Sequence, residues 1–165
     1  MLVRREHAGD VPVIEELHRA AFTGEVEARL VTALRASDAW LPPLSLVAES
    51  DGRVVGHVVC TRAHVGDVPA LGLGPLGVDP AVQRSGIGSA LMHAVLGAAD
   101  AMDEPVVVLL GHTGYYPRFG FEPATGYGIT PPVPEWGEHF QARPLSTYAP
   151  SVRGPFAYAA PFNEL

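Results

Sequence analysis

The sequence has a single cysteine, Cys60, and no lysine at all. One cysteine excludes an intramolecular disulfide framework and a cysteine-rich zinc module. All 11 basic residues are arginine, and the 18 acidic residues bring the formal net charge to −7. A generic nucleic-acid binder needs many positive charges to displace counterions, so the sequence argues against nucleic acid as a partner. An acidic surface would instead attract cations, and an amine substrate is compatible with it.

The sequence also lacks a long apolar run. No stretch approaches the roughly 18 consecutive apolar residues of a membrane span, and the basic start, Met1–His7, is not followed by the apolar segment of a secretory signal. We therefore expect a cytoplasmic protein with no membrane partner. With 165 residues, 47% of them hydrophobic, the chain suits one domain with a sizeable core.

Strand and helix patterns alternate over the first 110 residues. The β-rich runs are 2–5, 44–49, 54–61, 70–78 and 106–110, and helical spacing of apolar residues begins near Asp10, Val26 and Ile87. Asp51 and Gly52 favour a tight hairpin between the second and third of these strands. The apolar run 106–110 after the third helix predicts a right-handed parallel crossover. The order predicts an α/β fold with a mixed sheet, followed by a proline-rich tail.

Two glycine-rich stretches could bind a phosphate group. The run Gly72–Gly77 matches G-x-G-x-x-G, but it lies inside a β-rich run and no helix opens at its end, so a dinucleotide site is disfavoured. The run Gln83–Ser89 lies where the third helix begins. Its glycines allow close approach of backbone N–H groups, the helix N-terminus adds partial positive charge, and Arg84 adds a full charge. This second run predicts a pyrophosphate cradle.

Two motifs in this region resemble those of the GNAT superfamily of N-acetyltransferases. Gln83, Gly86 and Gly88 match the core Q/R-x-x-G-x-G/A within Leu73–Met92, which resembles the central motif of that family. Downstream, Gly114–Phe121 resembles its Y-x-x-x-G-F signature, in the Y-Y-x-R-F-G-F form of a bacterial subgroup of predicted N-acetyltransferases. The resemblance implies an acetyl-CoA-dependent enzyme that acetylates a primary amine of a small molecule or protein.

The resemblance also implies the architecture. We expect one N-acetyltransferase domain over residues 1–165, with a core at 1–125 and a proline-rich extension at 126–165 packed on it. Its sheet should be mixed but mostly antiparallel, with a splayed parallel pair of strands and flanking helices. The bulge that splays the pair is predicted at Gly77. A homodimer is a candidate assembly by analogy with the family.

Acetyl-CoA, as co-substrate, would lie between the splayed strands. Backbone groups of Leu76 and Val78 would bind the pantetheine arm by strand addition, with Gly77 between them in the cofactor site, and the N–H of Val78 would stabilise the oxyanion. Tyr116 and Phe119 would complete the contacts to the cofactor. The pyrophosphate would be held by the residues of the cradle, namely Gln83, Arg84, Ser85, Gly86, Ile87, Gly88 and Ser89.

The sequence indicates the acid of the reaction more clearly than the base. Tyr116 matches the tyrosine of the family signature, and a phenol can protonate a departing thiolate while remaining protonated at neutral pH. The run 71–78 contains no side chain able to act as a base, so the candidates are His112, Glu49 or a chain of waters. The histidines show no metal-ligand spacing, so no metal is expected.

The sequence is also compatible with two other functions. The missing base leaves room for a non-catalytic acyl-CoA-binding or sensor protein on the same fold. A nucleotide-binding regulator acting through Gly72–Gly77 would bind NAD and not CoA.

Overall fold

Three helices and nine strands form the architecture in the computed structural model, which describes residues 1–165. The helices are α1 (Val11–Phe22), α2 (Val26–Arg35) and α3 (Ile87–Ala101). The strands are β1 (Leu2–Arg5), β2 (Trp40–Ser50), β3 (Arg53–Val65), β4 (Val68–Val78), β5 (Val106–Leu110), β6 (Glu122–Pro123), β7 (Ile129–Thr130), β8 (Phe140–Pro144) and β9 (Gly154–Ala157). None of the helices has the length and apolar character needed to cross a membrane.

The central strands are hydrogen-bonded in the order β1-β2-β3-β4-β5-β8-β6. Neighbours along this path are antiparallel except for β4 and β5, which are parallel. This confirms the predicted mixed, mostly antiparallel sheet with a parallel pair at β4 and β5; beside this path, β7 and β9 also pair in parallel. The proline-rich extension contributes β8, which lies between β5 and β6, and β9, which pairs with β3.

The hairpin between β2 and β3 has the predicted turn. Ser50 pairs with Arg53, so Asp51 and Gly52 form a two-residue loop, and both have positive φ angles, 52° and 76°. Asp and Gly tolerate this conformation better than most residues, and it matches the twist of the strands.

The sheet has helices on both faces. The apolar stripe of α3, including Leu91 and Val95, packs against one face within a cluster of 19 buried residues. On the opposite face, α1 and α2 lie over β4, where Gly77 faces His18 and Gly74 faces Leu34. A second cluster of 11 buried residues joins the ends of β3 and β4 to β5, β7, β8 and β9.

The bulge in β4 is not at Gly77. That residue pairs in regular register with His57, whereas one β3 residue, Val59, lies opposite two β4 residues, Gly74 and Pro75. Pro75 has no N–H to give to the ladder, so the pairing is interrupted there. The prediction was right about a glycine in β4 and wrong about which one.

Gly77 has a different role, because it allows α1 to lie close to β4. A Cβ atom at this position would lie 2.7 Å from His18 Nδ1, and His18 is fully buried. The imidazole has no room to retreat, since its other nitrogen is hydrogen-bonded to His57 at 2.8 Å.

We expect Gly77→Ala to lower the free energy of unfolding by about 1–3 kcal/mol, as overpacking of a buried contact does. The matched control is Gly97→Ala on the exposed side of α3, where a Cβ meets nothing within 4 Å. That substitution should stabilise the helix by up to about 1 kcal/mol. Urea unfolding of both variants measures the difference, and equal effects would contradict the contact described here.

Candidate active site

A cleft opens where β4 and β5 separate. The two strands pair only at Leu71–Val107 and Gly72–Val108, and beyond these positions each has a free edge. A cavity of about 670 Å³ lies here. It is lined by Phe22, Glu27, Leu30, Leu73, Gly74, Pro75, Leu76, Leu110, Tyr116, Pro132, Val133, Trp136, Tyr158, Phe162, Asn163 and Leu165.

The free edge of β4 presents backbone groups of two predicted residues. In an antiparallel ladder, residues that bond to the partner strand alternate with residues whose backbone groups point away. The N–H of Asp79 donates to the carbonyl of Val55 at 2.8 Å, so Gly77 also bonds to β3. Leu76 and Val78 therefore direct their N–H and C=O groups away from β3, toward the cleft.

Gln83 satisfies one of these groups. Its Nε2 donates to the carbonyl of Val78 at 3.2 Å, across the turn that leads from β4 toward α3. The N–H of Val78 is left without a partner on that edge. Gln83 thus contacts the strand edge, whereas the other residues of the predicted cradle, 84–89, lie beyond it along the chain.

The N-terminus of α3 leaves several donors free. The first helical hydrogen bond is from Ala90 N–H to the carbonyl of Gly86, so the N–H groups of Ile87, Gly88 and Ser89 have no acceptor within the helix. Gly86 is in the left-handed conformation (φ 87°), and its position as N-cap provides no capping side chain. These free N–H groups lie where the sequence predicts the pyrophosphate cradle, and unpaired N–H groups at a helix N-terminus are the kind of donor that an anion needs.

Arg84 and Ser85 shape the approach to this helix end. Arg84 has φ 65°, an uncommon conformation for a residue with a side chain. The Ser85 hydroxyl donates to the carbonyl of Val82, which fixes the turn. The Arg84 side chain is exposed and makes no ion pair within the chain.

The two adjacent tyrosines face different parts of the site. Tyr116 lines the cavity together with Leu76 and Leu110. Burial, and to a lesser degree the neighbouring Tyr115, raises the pKa of Tyr116 to about 12, so its hydroxyl keeps its proton at neutral pH. Tyr115 instead reaches α3, where its hydroxyl lies 3.0 Å from the position of a Cβ on Gly88. The doubled tyrosine of the Gly114–Phe121 motif is the sequence signal for this second residue near the site.

Three other residues that the sequence predicts for the site do not line the cleft. Glu49 lies on β2, where its carboxylate accepts a hydrogen bond from Arg4 at 2.9 Å, and it does not line the cleft. Phe119 is buried in the α3-side core, with its ring against Tyr115 and His93. His112 is exposed just after β5 and lines a smaller cavity of about 350 Å³ that shares Leu110 and Trp136 with the cleft.

Aromatic residues of the extension complete the cleft, and sequence reasoning largely missed them. Tyr158 stacks on Phe162 with ring centroids 4.2 Å apart, and Trp136 lies 6.2 Å from Tyr158. Trp136, Tyr158 and Phe162 carry no motif that assigns them to a binding site. Their role depends on the path of a chain segment that runs far from β4 in the sequence.

A buried chain of hydrogen bonds lies behind Gly77. His18 Nε2 is 2.8 Å from His57 Nδ1, and His57 Nε2 is 2.9 Å from Ser45 Oγ. The Ser45 hydroxyl donates to Glu6, whose carboxylate also accepts two hydrogen bonds from Arg35 at 3.0 and 3.1 Å. The network joins α1, α2 and the sheet, and neither histidine showed a motif in the sequence.

The direction of these bonds fixes the tautomers. Since Ser45 gives its proton to Glu6, its oxygen accepts from His57 Nε2–H. Neutral His57 then has a bare Nδ1, which accepts from His18 Nε2–H. His18 Nδ1 is consequently an unprotonated nitrogen, and it is buried without a hydrogen-bond partner against Gly77. Both rings are neutral in this arrangement.

Comparisons with known proteins agree with this geometry. The Acetyltransferase (GNAT) family model matches residues 11–121. Over 168 residues the chain is 35% identical to the N-acetyltransferase YhbS of Escherichia coli (strain K12), covering 99% of each. It is also 38% identical to the N-acetyltransferase YjhQ of the same organism over 133 residues, 76% of this chain and 74% of that protein. The chain belongs to the GNAT acetyltransferase family.

Solved GNAT structures show the same fold over nearly the whole chain. The crystal structure of E. coli YhbS in complex with CoA superposes with a TM-score of 0.87 at 32% identity, covering 98% of this chain and 91% of that one. A Brucella melitensis GNAT acetyltransferase in complex with acetyl-CoA gives a TM-score of 0.80 at 34% identity, covering 98% and 97%. The family, the fold and the enzyme class predicted from the sequence are confirmed.

The buried histidines predict that this GNAT protein loses stability in mild acid. Burial, together with the nearby His57 and Arg35, lowers the pKa of His18 to about 3, and burial also lowers the pKa of His57. An unfolded imidazole titrates near 6.5. As the pH falls from about 6.5 toward 3, the unfolded chain therefore binds protons that the folded chain excludes. The free energy of unfolding should fall by about 1.4 kcal/mol per pH unit for each excluded proton.

Glu6 adds to the loss at lower pH. Burial raises its pKa, but hydrogen bonds from His57, Arg35 and Ser45 outweigh this and lower it to about 2, so its stabilising contribution is lost below about pH 4.5.

Urea unfolding from pH 7.5 to 5 tests the contribution of the buried histidines to the pH dependence of stability. His18→Gln should give a shallower dependence than the parent, and His64→Gln, which replaces an exposed imidazole, should not. Equal slopes for the parent and His18→Gln would contradict the neutral buried pair.

Proposed function

We propose that this chain transfers the acetyl group of acetyl-CoA to a primary amine, by direct attack of the amine in a ternary complex. The observation that carries the proposal is the continuity of the site from Leu76 to Ser89. Free backbone groups on the edge of β4 lead directly to the free N–H groups at the start of α3. A pantetheine arm needs the first of these and a pyrophosphate needs the second. The complexes of the similar GNAT proteins with CoA and acetyl-CoA support this assignment.

The chemistry follows from the groups at the cleft. The neutral amine nitrogen attacks the thioester carbonyl, and the N–H of Val78 donates to the oxygen as it becomes negative. The C–S bond then breaks, and Tyr116 gives its proton to the departing CoA thiolate. Its raised pKa keeps that proton in place until the thiolate forms. The proton released by the amine goes to a base or to water.

His112 is the better supported of the two candidate bases. It adjoins the cleft through Trp136 and Leu110, whereas Glu49 is bound to Arg4 on β2. An imidazole is suited to proton transfer at neutral pH. We keep His112 as the proposed base, with a chain of waters as the alternative.

The domain organisation and the cellular location that we propose agree with those expected from the sequence. We propose that residues 1–165 work as one domain, because β8 of the extension pairs with β5 of the predicted core. We also propose a cytoplasmic, bacterial enzyme, in keeping with its buried single cysteine and its likeness to E. coli proteins. A homodimer stays a prediction.

Replacing Tyr116 by Phe should leave acetyl-CoA affinity unchanged and lower kcat by about 10²–10⁴-fold, because only the proton donor is lost. Calorimetric titration with acetyl-CoA and thiol release with an amine measure the two effects. Tyr127→Phe is the matched control, since that hydroxyl donates to Glu122 away from the cleft. Unchanged turnover in Tyr116→Phe would assign the acid to another group. A parent protein that binds acetyl-CoA but acetylates no amine would instead favour the sensor function.

The cradle gives a separate prediction. Arg84→Ala should raise the Kd for acetyl-CoA by about tenfold, as the loss of one charge-assisted hydrogen bond does. It should not alter folding, because the side chain makes no ion pair in the chain. Arg29→Ala, an exposed arginine on α2, removes the same charge elsewhere and should leave the Kd unchanged. An Arg84→Ala protein with parental affinity would exclude this arginine from the phosphate site.

A further inference from the structure

The cleft next to the proposed transfer site has an unusual distribution of charge for an enzyme with a net charge of −7. Among the side chains that line it, Glu27 is the only charged one. The remainder are apolar or aromatic, apart from the amide of Asn163 and the two tyrosine hydroxyls. The acidic residues that produce the net charge lie elsewhere on the chain.

We propose that the acceptor is a primary monoamine carried on an apolar, preferably aromatic, body. This inference rests on the proposed acetyltransferase function and names the acceptor class of the same site. A single carboxylate can pair with one ammonium group, so the further charges of a polyamine would find no second acidic side chain among the lining residues. An acceptor with a carboxylate or phosphate would meet no cationic side chain there.

Aromatic side chains from separate elements define the place of the apolar body. Phe22 comes from the end of α1, Trp136 from the loop before β8, and Tyr158 and Phe162 from the segment after β9. The rings of Trp136, Tyr158 and Phe162 already pack on one another. A wall ordered in this way binds an apolar group without a further cost of fixing side chains.

Size limits the acceptor further. The cavity of about 670 Å³ lies within the range that holds a drug-sized ligand. The acetyl group and the end of the pantetheine arm would occupy the part beside Leu76. The remaining space suits a small arylalkylamine or the first residue of a peptide, and these two sources share one chemistry.

Glu27 lies on the first turn of α2, beside Phe22 at the end of α1. Its carboxylate would draw the ammonium form of the amine toward the cleft, which helps any amine regardless of its body. The aromatic wall would then discriminate between bodies. We therefore expect Glu27 to affect the binding of all amines and the aromatic wall to affect the selection between them.

The test compares thiol release from acetyl-CoA with phenethylamine, spermidine, free lysine and a short peptide amide that begins with phenylalanine. We expect kcat/KM for phenethylamine or for the peptide to exceed that for spermidine and lysine by about tenfold or more, since one buried ring contributes this much. Preference for phenethylamine identifies a small-molecule acceptor, and preference for the peptide identifies a polypeptide N-terminus. Both support the inference, and a preference for spermidine or lysine overturns it.

Variants separate the two features. Trp136→Ala should lower kcat/KM for phenethylamine by about tenfold and that for n-butylamine by less, with the Kd for acetyl-CoA unchanged. Glu27→Gln should raise KM for both amines alike. Trp40→Ala is the control, because this ring lies over Arg35 on another part of the molecule, and it should leave the ratio of the two amines unchanged. Loss of selectivity in Trp40→Ala but not in Trp136→Ala would contradict the assigned wall.

A binding measurement tests the amine selectivity of the cleft separately from the acetyltransferase activity. Calorimetric titration of the CoA-loaded protein compares phenethylamine with spermidine directly. Tighter binding of phenethylamine without acetyl transfer to any amine would retain the cleft assignment and refute the enzyme. Transfer to spermidine with no measurable binding of phenethylamine would refute the cleft assignment and retain the enzyme.

Discussion

The separation of β4 from β5 after two paired residues on each strand is the constraint on which the site depends. A strand that leaves its neighbour exposes N–H and C=O groups, and leaving such a group buried and unpaired costs about 1–3 kcal/mol. Here the edge opens into a cleft, where solvent or an added strand-like ligand can satisfy those groups. The bulge at Gly74 and Pro75, opposite Val59 of β3, begins two residues after the last pair with β5, and a bulge bends its strand and increases its twist, which directs β4 away from β5.

Because β4 lacks a neighbouring strand along this edge, side-chain contacts on its two faces must hold it in place. On the α3 side, Leu76 and Val78 pack against the larger core cluster. On the other side, Gly77 lets α1 approach so closely that His18 takes the space of a β4 side chain. The chain of hydrogen bonds from His18 to Glu6 then ties α1 to β2 and β3. The strand edge is thus positioned by contacts above and below it rather than by a neighbour in the sheet.

Local patterns were sufficient for the helices and strands of the first 110 residues and for the glycine turn before α3, but not for β6 to β9, which lie in the segment expected only as a proline-rich tail. The Asp51-Gly52 turn, the apolar stripe of α3 and the glycines at its N-terminus each act within a few residues, so the sequence displays them. The position of the bulge was wrong because three glycines compete in β4, and only the pairing with β3 distinguishes them. His18 and His57 are 39 positions apart, and Tyr158 reaches the cleft only through the path of the extension. Such long-range contacts leave no periodic signal in a single sequence.

Net charge illustrates the same limit for function. A value of −7 suggested a cationic acceptor, but charge summed over a surface governs long-range attraction, whereas selection in a cleft depends on the groups that line it. Many of the acidic groups are already paired with arginines, as Glu6, Asp10, Glu49 and Glu104 are. The cleft receives one carboxylate and a set of rings from segments that meet only in the folded chain. On our proposal, an amine that the surface attracts must still carry an apolar body to remain in the cleft.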